Sequence, residues 1–146
     1  MLSSTYETNA STIYRFWRAA GFSPAQAAGL LAQADAESSL NPEAVGDHDQ
    51  AFGLDQWHAL RADAIRNGCG VDLTKLPSLA DQLKAALWEL QHTEKHALIQ
   101  IMATKTAYDA GYAACRFWER PASVTQYSRR AAMAEKWAAY FSKRPV

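Results

Sequence analysis

The chain has 146 residues, 49% hydrophobic and 21% charged, with 15 basic and 15 acidic side chains and no net charge. These values are ordinary for one globular domain that is long enough to bury a core. No apolar run approaches the ~20 residues of a membrane span. We also expect no signal peptide, because the N-terminus lacks a basic segment followed by an apolar one.

The first two predicted helices carry clear boundary signals. Helical spacing of apolar residues, followed by Gly21, predicts a first helix that ends near Ala20. The sequence SPAQ at 23–26 then matches a capping box with proline at the first helical position. We expect this second helix to run to about Ser39, where the Asn-Pro pair at 41–42 ends it.

The rest of the chain predicts more helices after one short irregular stretch. Residues 43–54 contain two glycines and are expected to form either an irregular segment or a small hairpin. A third helix fits from about Asp55 to Asn67, with Gly68 at its end. Apolar and capping patterns predict four more helices, at about 78–90, 97–102, 106–118 and 123–141. The sequence therefore predicts a single mainly α domain over residues 1–146.

Charge is unevenly distributed along this chain. Residues 1–70 have four Lys or Arg against eight Asp or Glu, whereas residues 116–146 have seven against two. Such a basic tail is expected either to attract an anionic polymer that is held near the carboxylates or only to keep the last helix solvated. Nucleic acid is disfavoured, because the acidic half would repel it and no DNA-binding motif is present. The seven basic residues are Arg116, Arg120, Arg129, Arg130, Lys136, Lys143 and Arg144.

Glu37 is unusual because it falls on the apolar stripe of the second helix. It follows Leu30 by seven residues and Ala34 by three, whereas Asp35 points to nearly the opposite side. A carboxyl group on an apolar face loses hydration, which raises its pKa and lets it donate a proton near neutral pH. The alternative is a structural glutamate that caps a helix or pairs with a buried arginine. Periodicity alone slightly favours this alternative.

The residues after Glu37 favour catalysis. ESSLNPEAVGDHDQAFGLDQW, at 37–57, resembles the lysozyme-like superfamily, specifically phage lysozymes of the tail-lysozyme type and their goose-type and lytic-transglycosylase relatives. In these, a catalytic glutamate ends a helix in a pattern like E-S-x-x-N-P, and an A-x-G-L-x-Q segment follows. FWERP at 117–121 also looks like this type. The matching positions are Glu37, Ser38, Asn41, Pro42, Ala51, Gly53, Leu54 and Gln56.

The resemblance implies a lysozyme-like fold and a cofactor-free muramidase. Such an enzyme cleaves the β-1,4 bond between N-acetylmuramic acid and N-acetylglucosamine in peptidoglycan, with Glu37 as the general acid. It would be a monomer, either an endolysin released through a holin or a virion or secreted enzyme. The alternatives are a lytic transglycosylase that uses Glu37 alone and a non-catalytic peptidoglycan-binding or tail module.

A hydrolase of this kind is helped by a second carboxylate or a positioned water. We favour Asp49 as the base that positions water and keep Asp47 in reserve, although both are equally well explained as solvated loop acids. Asp55 is a third candidate, because it stands where related sequences with G-L-M-Q have methionine. The second acid varies within the superfamily. His48 lies between two aspartates, but no further cluster completes a ligand shell, so we expect no metal site.

Several amide and aromatic side chains are candidates for sugar binding. Gln56 and Phe52 lie beside the matched motif, and Trp57 is either a sugar platform or part of the core. Four more aromatic residues either line the far wall of a cleft or pack in the core, which helical spacing favours. They are Tyr108, Tyr112, Trp118 and Tyr127.

Two remaining pairs carry weaker expectations. Glu119 and Arg120 are expected to form a structural ion pair or cap. Cys69 and Cys115 have no metal-ligand spacing. We expect two free thiols, with a disulfide formed after export as the alternative.

Overall fold

The structure, a computed structural model, describes residues 4–144. Within that range the chain forms seven α-helices and one antiparallel hairpin, which confirms the predicted mainly α fold. None of the described helices is long and apolar enough to cross a bilayer. The elements are α1 (Ser4–Ala19), α2 (Pro24–Ser38), β1 (Val45–Gly46), β2 (Ala51–Phe52), α3 (Ala59–Cys69), α4 (Leu79–Gln91), α5 (Lys95–Met102), α6 (Ala107–Ala113) and α7 (Thr125–Ser142).

The central helix is α2, which is buried along most of its length. Every residue from Gln26 to Ala34 is buried. Glycines let the neighbouring helices approach it closely: a Cβ on Gly29 would lie 2.7 Å from the backbone carbon of Ala110 in α6. Gly111 brings α6 equally close to α7. α2 also packs directly on α7, and Glu37 lies at the end of α2.

Gly111 provides a test of this close packing. Alanine normally stabilises a helix interior relative to glycine by about 0.5–1 kcal/mol. A Cβ on Gly111 would lie 2.8 Å from the Cβ of Ala134 and 2.9 Å from the carbonyl oxygen of Arg130. We therefore expect Gly111→Ala to lower the free energy of unfolding by about 1–3 kcal/mol, as overpacking does. Urea denaturation measures this change, and a more stable variant would show that the two helices are not in such contact.

The predicted helix starts are confirmed where a side chain caps the helix. Ser23 accepts from the backbone N–H of Gln26, and the Gln26 side chain accepts from the backbone N–H of Ser23, so the capping box is complete. At the starts of α4 and α6, the hydroxyls of Ser78 and Thr106 accept from the backbone N–H three residues later. Hydroxyls that accept a backbone N–H satisfy a group that the helix itself leaves unpaired.

The boundaries predicted for the third helix are wrong. α3 begins at Ala59, because Phe52 and Trp57 exchange two backbone hydrogen bonds of 2.9 Å and hold the intervening residues in a tight turn. The helix also continues through Gly68 to Cys69. Glycine at position 68 lets α3 pack closely on Trp88 of α4, since a Cβ at this position would lie 1.8 Å from the ring of Trp88.

Two features near the C-terminus were also not predicted. α6 continues into a π-helical segment, Ala114–Glu119, which ends where the backbone N–H of Arg120 donates to the carbonyl of Cys115 at 2.7 Å. The last helix begins at Thr125, and Ser123 does not cap it, because its hydroxyl pairs with that of Thr125 instead.

Candidate active site

Glu37 lies in the last turn of α2 and contacts a buried arginine. Its side chain is 22% exposed, and its Oε1 accepts a hydrogen bond of 2.6 Å from Nη2 of Arg130. Arg130 is buried in α7. The predicted apolar setting of Glu37 is therefore wrong in this respect, because the helix face turns toward a charged partner. The pairing matches the arginine contact that the structural alternative foresaw.

Gln33, one turn earlier in α2, fixes the position of Arg130. Its Nε2 donates to the carbonyl oxygens of Gly29 at 3.1 Å and of Gly111 at 3.0 Å, which leaves its Oε1 to accept from Nη1 of Arg130. The amide is fully buried and can adopt one orientation only, because both of its groups are used. Gln33 therefore orients the arginine that orients Glu37.

Arg130 was not predicted as a site residue, because it belongs to the basic C-terminal stretch of the sequence. Helical spacing contains the missing signal. Arg130 precedes Ala134 by four residues and Trp137 by seven, so it falls on the buried stripe of α7. An arginine at such a position needs a buried partner.

A second ion-pair network is centred on Glu89. Arg61 donates to both of its carboxylate oxygens at 2.7 Å, and the indole nitrogens of Trp57 and Trp118 donate to Oε1. Arg61 also reaches Glu119 at 3.2 Å. Trp57 and Trp118 are both fully buried, so both belong to the core. Trp57 has no exposed ring face for a sugar.

Asp55 is a buried acid on which the charge of Glu37 acts. It is buried, and its Oδ1 has no hydrogen-bond partner in the described part of the chain. Burial and the negative charge of Glu37 raise the pKa of Asp55 to about 8, although Arg61 acts in the opposite direction. Burial likewise raises the pKa of Glu119 well above its usual range. The structure thus places Asp55 with the cluster around Glu37, away from the exposed hairpin turn.

The segment that follows Glu37 is fixed by a glutamine that sequence analysis missed. Gln82 of α4 is fully buried. Its Oε1 accepts from the backbone N–H of Leu54, and its Nε2 donates to the carbonyls of Pro42 and Pro77, each at 2.8 Å. All of its polar capacity therefore holds the loop.

The Gln56 side chain also stabilises this loop through hydrogen bonds to the backbone. Its Nε2 donates to the carbonyl oxygens of Ala44 at 3.2 Å and of Gly53 at 2.9 Å. These bonds tie the turn before α3 to the hairpin. The amide nitrogen of Gln56, which was predicted to bind sugar, is thus used within the protein.

The candidate loop acids lie on the exposed turn of the hairpin. Asp47, His48 and Asp49 are consecutive residues with left-handed backbones, at φ of 51°, 54° and 67°. Oδ2 of Asp47 lies 2.7 Å from Nε2 of His58. Within residues 4–144, neither aspartate forms a hydrogen bond or ion pair with Glu37, and no group of three His, Cys, Asp or Glu residues is arranged to hold a metal ion.

A groove of about 700 Å³ lies between the hairpin and α3. Asp49 and Phe52 line it from the hairpin, and His58, Leu60 and Arg61 line it from the start of α3. The structure therefore brings two of the sequence candidates to one concave surface. Arg61 connects that surface to the buried network behind it.

The tyrosines predicted for a cleft wall lie together on α6 and α7. Tyr127 is half-buried, with its ring centroid 5.5 Å from that of Tyr112, which in turn lies 6.5 Å from Tyr108. Tyr108 is exposed. The three rings form a partly exposed aromatic surface.

The structure shows whether the residues of the two remaining predicted pairs bind each other. Glu119 and Arg120 do not bind each other, because Glu119 pairs with Arg61 and Arg120 pairs with Glu94. Both cysteines are free, with Cys69 exposed and Cys115 buried in the π-helical segment. Burial raises the pKa of the Cys115 thiol to about 11.

The phage tail lysozyme family matches the chain over residues 8–141. This range includes α2, the hairpin and the whole network from Glu37 to Arg130. The chain therefore belongs to the phage tail lysozyme family. Membership makes it a lysozyme-like phage protein that acts on peptidoglycan, with glycoside hydrolysis as its general class of chemistry. No curated protein matches the sequence.

Proposed function

We propose that this protein is a muramidase that cleaves the β-1,4 bond between N-acetylmuramic acid and N-acetylglucosamine, with Glu37 as the general acid. The observation that best supports this proposal is the position of Glu37. It ends α2 at the E-S-x-x-N-P motif, its carboxyl group is partly open to solvent, and Arg130 fixes its orientation.

The geometry of the pair suits proton donation. Arg130 occupies Oε1 of Glu37, which leaves Oε2 without a hydrogen-bond partner among the described residues. We assign Oε2 as the oxygen that protonates the glycosidic oxygen. As the proton leaves, Glu37 becomes negatively charged, and the adjacent guanidinium stabilises that charge. Arg130 thus favours the charge distribution that develops during bond cleavage.

We propose Asp49 as the second catalytic carboxylate and Asp47 as the alternative. Asp49 lines the groove beside the hairpin, whereas the carboxylate of Asp47 is engaged by His58. Asp49 would hold the attacking water. We assign Phe52, Gln56 and Tyr127 to substrate binding, through two partly exposed rings and the remaining amide oxygen. No cofactor is required for this chemistry.

One observation favours a second candidate function, lytic transglycosylation. Within residues 4–144, neither hairpin aspartate forms a hydrogen bond or ion pair with Glu37, and Asp47 is already paired with His58. A transglycosylase needs no base for water, because the 6-hydroxyl of the muramic residue attacks and an anhydro product forms. A non-catalytic peptidoglycan-binding or tail module of the same fold is the remaining alternative, and zymography on purified cell walls separates it from both enzymes.

Product analysis separates hydrolysis from transglycosylation. We expect reducing-end muropeptides, because Asp49 is available to position water in the groove. Mass spectrometry of digested peptidoglycan decides this, since an anhydro muropeptide is lighter by one water. Asp49→Asn should reduce hydrolysis, whereas Asp63→Asn on the exposed face of α3 should not. Predominantly anhydro products, or full activity of both Asp49→Asn and Asp47→Asn, would contradict the role of a second carboxylate.

In the cell, we propose that the protein acts as a monomer on the peptidoglycan of a bacterial host. It would be made in the cytoplasm of the host. A holin would then release it, or it would reach the wall as part of the virion.

A further inference from the structure

A second cavity, of about 480 Å³, lies where α1 and α2 meet α7. Aromatic rings and a methionine line most of it, and neither Glu37 nor Arg130 is among the lining residues. Sites for small organic ligands are typically concave and mostly apolar, with volumes of about 300–1,000 Å³. The cavity therefore has the size and character of a ligand site. Its apolar lining includes Tyr6, Met133, Trp137 and Tyr140.

Asp35 of α2 fixes two of these rings. Its Oδ2 accepts hydrogen bonds from the Tyr6 hydroxyl at 2.6 Å and from the indole Nε1 of Trp137 at 3.0 Å. Burial and the hydrogen bond to Asp35 raise the pKa of Tyr6 above its usual range, so the hydroxyl stays neutral. Asp35 and Glu37 are two positions apart in α2, so their side chains leave the helix in nearly opposite directions. The cavity and the candidate active site therefore lie on different sides of α2.

Two basic side chains of α7 line the same cavity. Arg129 and Lys136 are seven residues apart, so they share one face of the helix, and both are exposed. In the described part of the chain, neither forms an ion pair or a side-chain hydrogen bond. A third cation, Arg144, lies 4.0 Å from the centroid of the Tyr140 ring. The basic tail of the sequence thus places three positive charges around an aromatic cavity, against the lining carboxylate of Asp35.

These features favour a ligand that has both apolar faces and carboxylates. Aromatic rings pack against the C–H faces of sugars and the hydrocarbon parts of peptides, and unpaired cations attract acidic groups. Peptidoglycan offers both, because its muramic residues carry short peptides with free carboxylates. A lipid surface fits less well, since these rings line a concave site, whereas membrane-binding helices project an apolar face into the bilayer.

We propose that this cavity is a second peptidoglycan-binding site, which holds a muramyl peptide through its aromatic lining and through Arg129 and Lys136. Two sites on one polymer raise the effective concentration of the enzyme at the wall without any new contact at the bond that is cleaved. The binding itself does not depend on the catalytic role of Glu37, whereas any effect on lysis rests on the proposed function.

A soluble N-acetylmuramyl tetrapeptide tests the site directly, because this monosaccharide has no glycosidic bond to cleave. NMR titration of the labelled protein measures its affinity, and the largest shifts should fall on residues of α7 that line the cavity. We expect the double variant Arg129→Gln/Lys136→Gln to bind about tenfold more weakly at about 20 mM salt. The deficit should shrink at about 500 mM salt, where the Debye length is only about 4 Å.

A matched variant separates this effect from that of total charge. Arg15 of α1 and Lys84 of α4 are exposed and do not line the cavity. Arg15→Gln/Lys84→Gln removes the same charge from the protein, so it should bind the muramyl peptide as the unmodified protein does. Equal losses in the two double variants would overturn the proposal, because the attraction would then be a property of the whole surface.

Filling the cavity tests its shape apart from its charge. Ala132 lines the cavity and is exposed, so a tryptophan there can occupy the space without entering the core. We expect Ala132→Trp to lose binding at both salt concentrations. Ala139→Trp puts the same side chain at an exposed position of α7 outside the cavity, and it should bind normally. Circular dichroism confirms the fold of both variants.

Three further results would overturn the proposal. They are normal binding by Ala132→Trp, shifts confined to residues around Glu37, and binding of phosphatidylglycerol vesicles but not of the muramyl peptide. The proposed function can fail separately. If Glu37→Gln still lyses walls while Ala132→Trp loses the muramyl peptide, the catalytic assignment is wrong and the second site stands. If Glu37→Gln is inactive while the cavity variants bind normally, only the second site is wrong.

Discussion

Replacing Glu37 with glutamine is expected to reduce lysis of purified cell walls by a factor of about 100 or more, the scale of general acid catalysis. Glutamine keeps the size of the side chain and can still accept from Nη2 of Arg130, which lies 2.6 Å from the carboxylate oxygen. It has no transferable acidic proton. The protein should therefore stay folded, with Gln33 still bound to the arginine. Turbidity of a wall suspension measures the rate, and circular dichroism measures the fold.

A matched control for this variant lies six residues further along. Glu43 is exposed, and its backbone rather than its carboxylate is used in the loop, where its N–H donates to Asn41. Glu43→Gln makes the same chemical change without removing a buried contact, so lysis should persist. Full lysis by Glu37→Gln would end the assignment. An unfolded Glu37→Gln protein would show that the contact with Arg130 is mainly structural.

Replacing Arg61 with leucine is expected to lower the free energy of unfolding by about 3–5 kcal/mol, because the loss of one partner leaves buried charge unpaired. Arg61 is the cation for both Glu89 and Glu119, whose side chains are 1% and 2% exposed. It also lies over the ring of Trp118, at 5.9 Å. Urea denaturation followed by circular dichroism measures the loss.

Arg66 provides the comparison on the same helix. It pairs with Asp63 at 3.3 Å, and both side chains are more than half exposed. Such a surface pair contributes at most about 1 kcal/mol, so Arg66→Leu should change stability little. Equal effects of the two substitutions would mean that the buried network contributes no more than a surface pair.

The sequence predicted most helices because their signals are local. A helix cap depends only on residues that are close together in the chain. At Ser23, Ser78 and Thr106, the hydroxyl accepts a hydrogen bond from the backbone N–H three residues later. The spacing of apolar residues predicts which face of each helix is buried. The same spacing located Glu37 on the inner side of α2, and the E-S-x-x-N-P motif identified its family.

Long-range contacts decided what the local signals could not. The start of α3 depends on the bridge between Phe52 and Trp57, and its passage through Gly68 depends on the ring of Trp88. Gln82 of α4 is similarly joined to Leu54, 28 positions earlier, and to Pro42, 40 positions earlier. No helical or strand period encodes such partners.

The site residues, too, were predicted in part from the sequence and decided in part by tertiary structure. The sequence alone identified a carboxyl group at Glu37, placed it on a buried helix face and offered Asp55 as one of three further acids. Tertiary structure decided that the face meets Arg130, 93 residues away, through a hydrogen bond of 2.6 Å. It also placed Asp55 inside the protein and left Asp47 and Asp49 on an exposed turn. The physical reason is that charge and hydration depend on which distant side chains the fold brings together, whereas periodicity reports only which side of a helix faces inward.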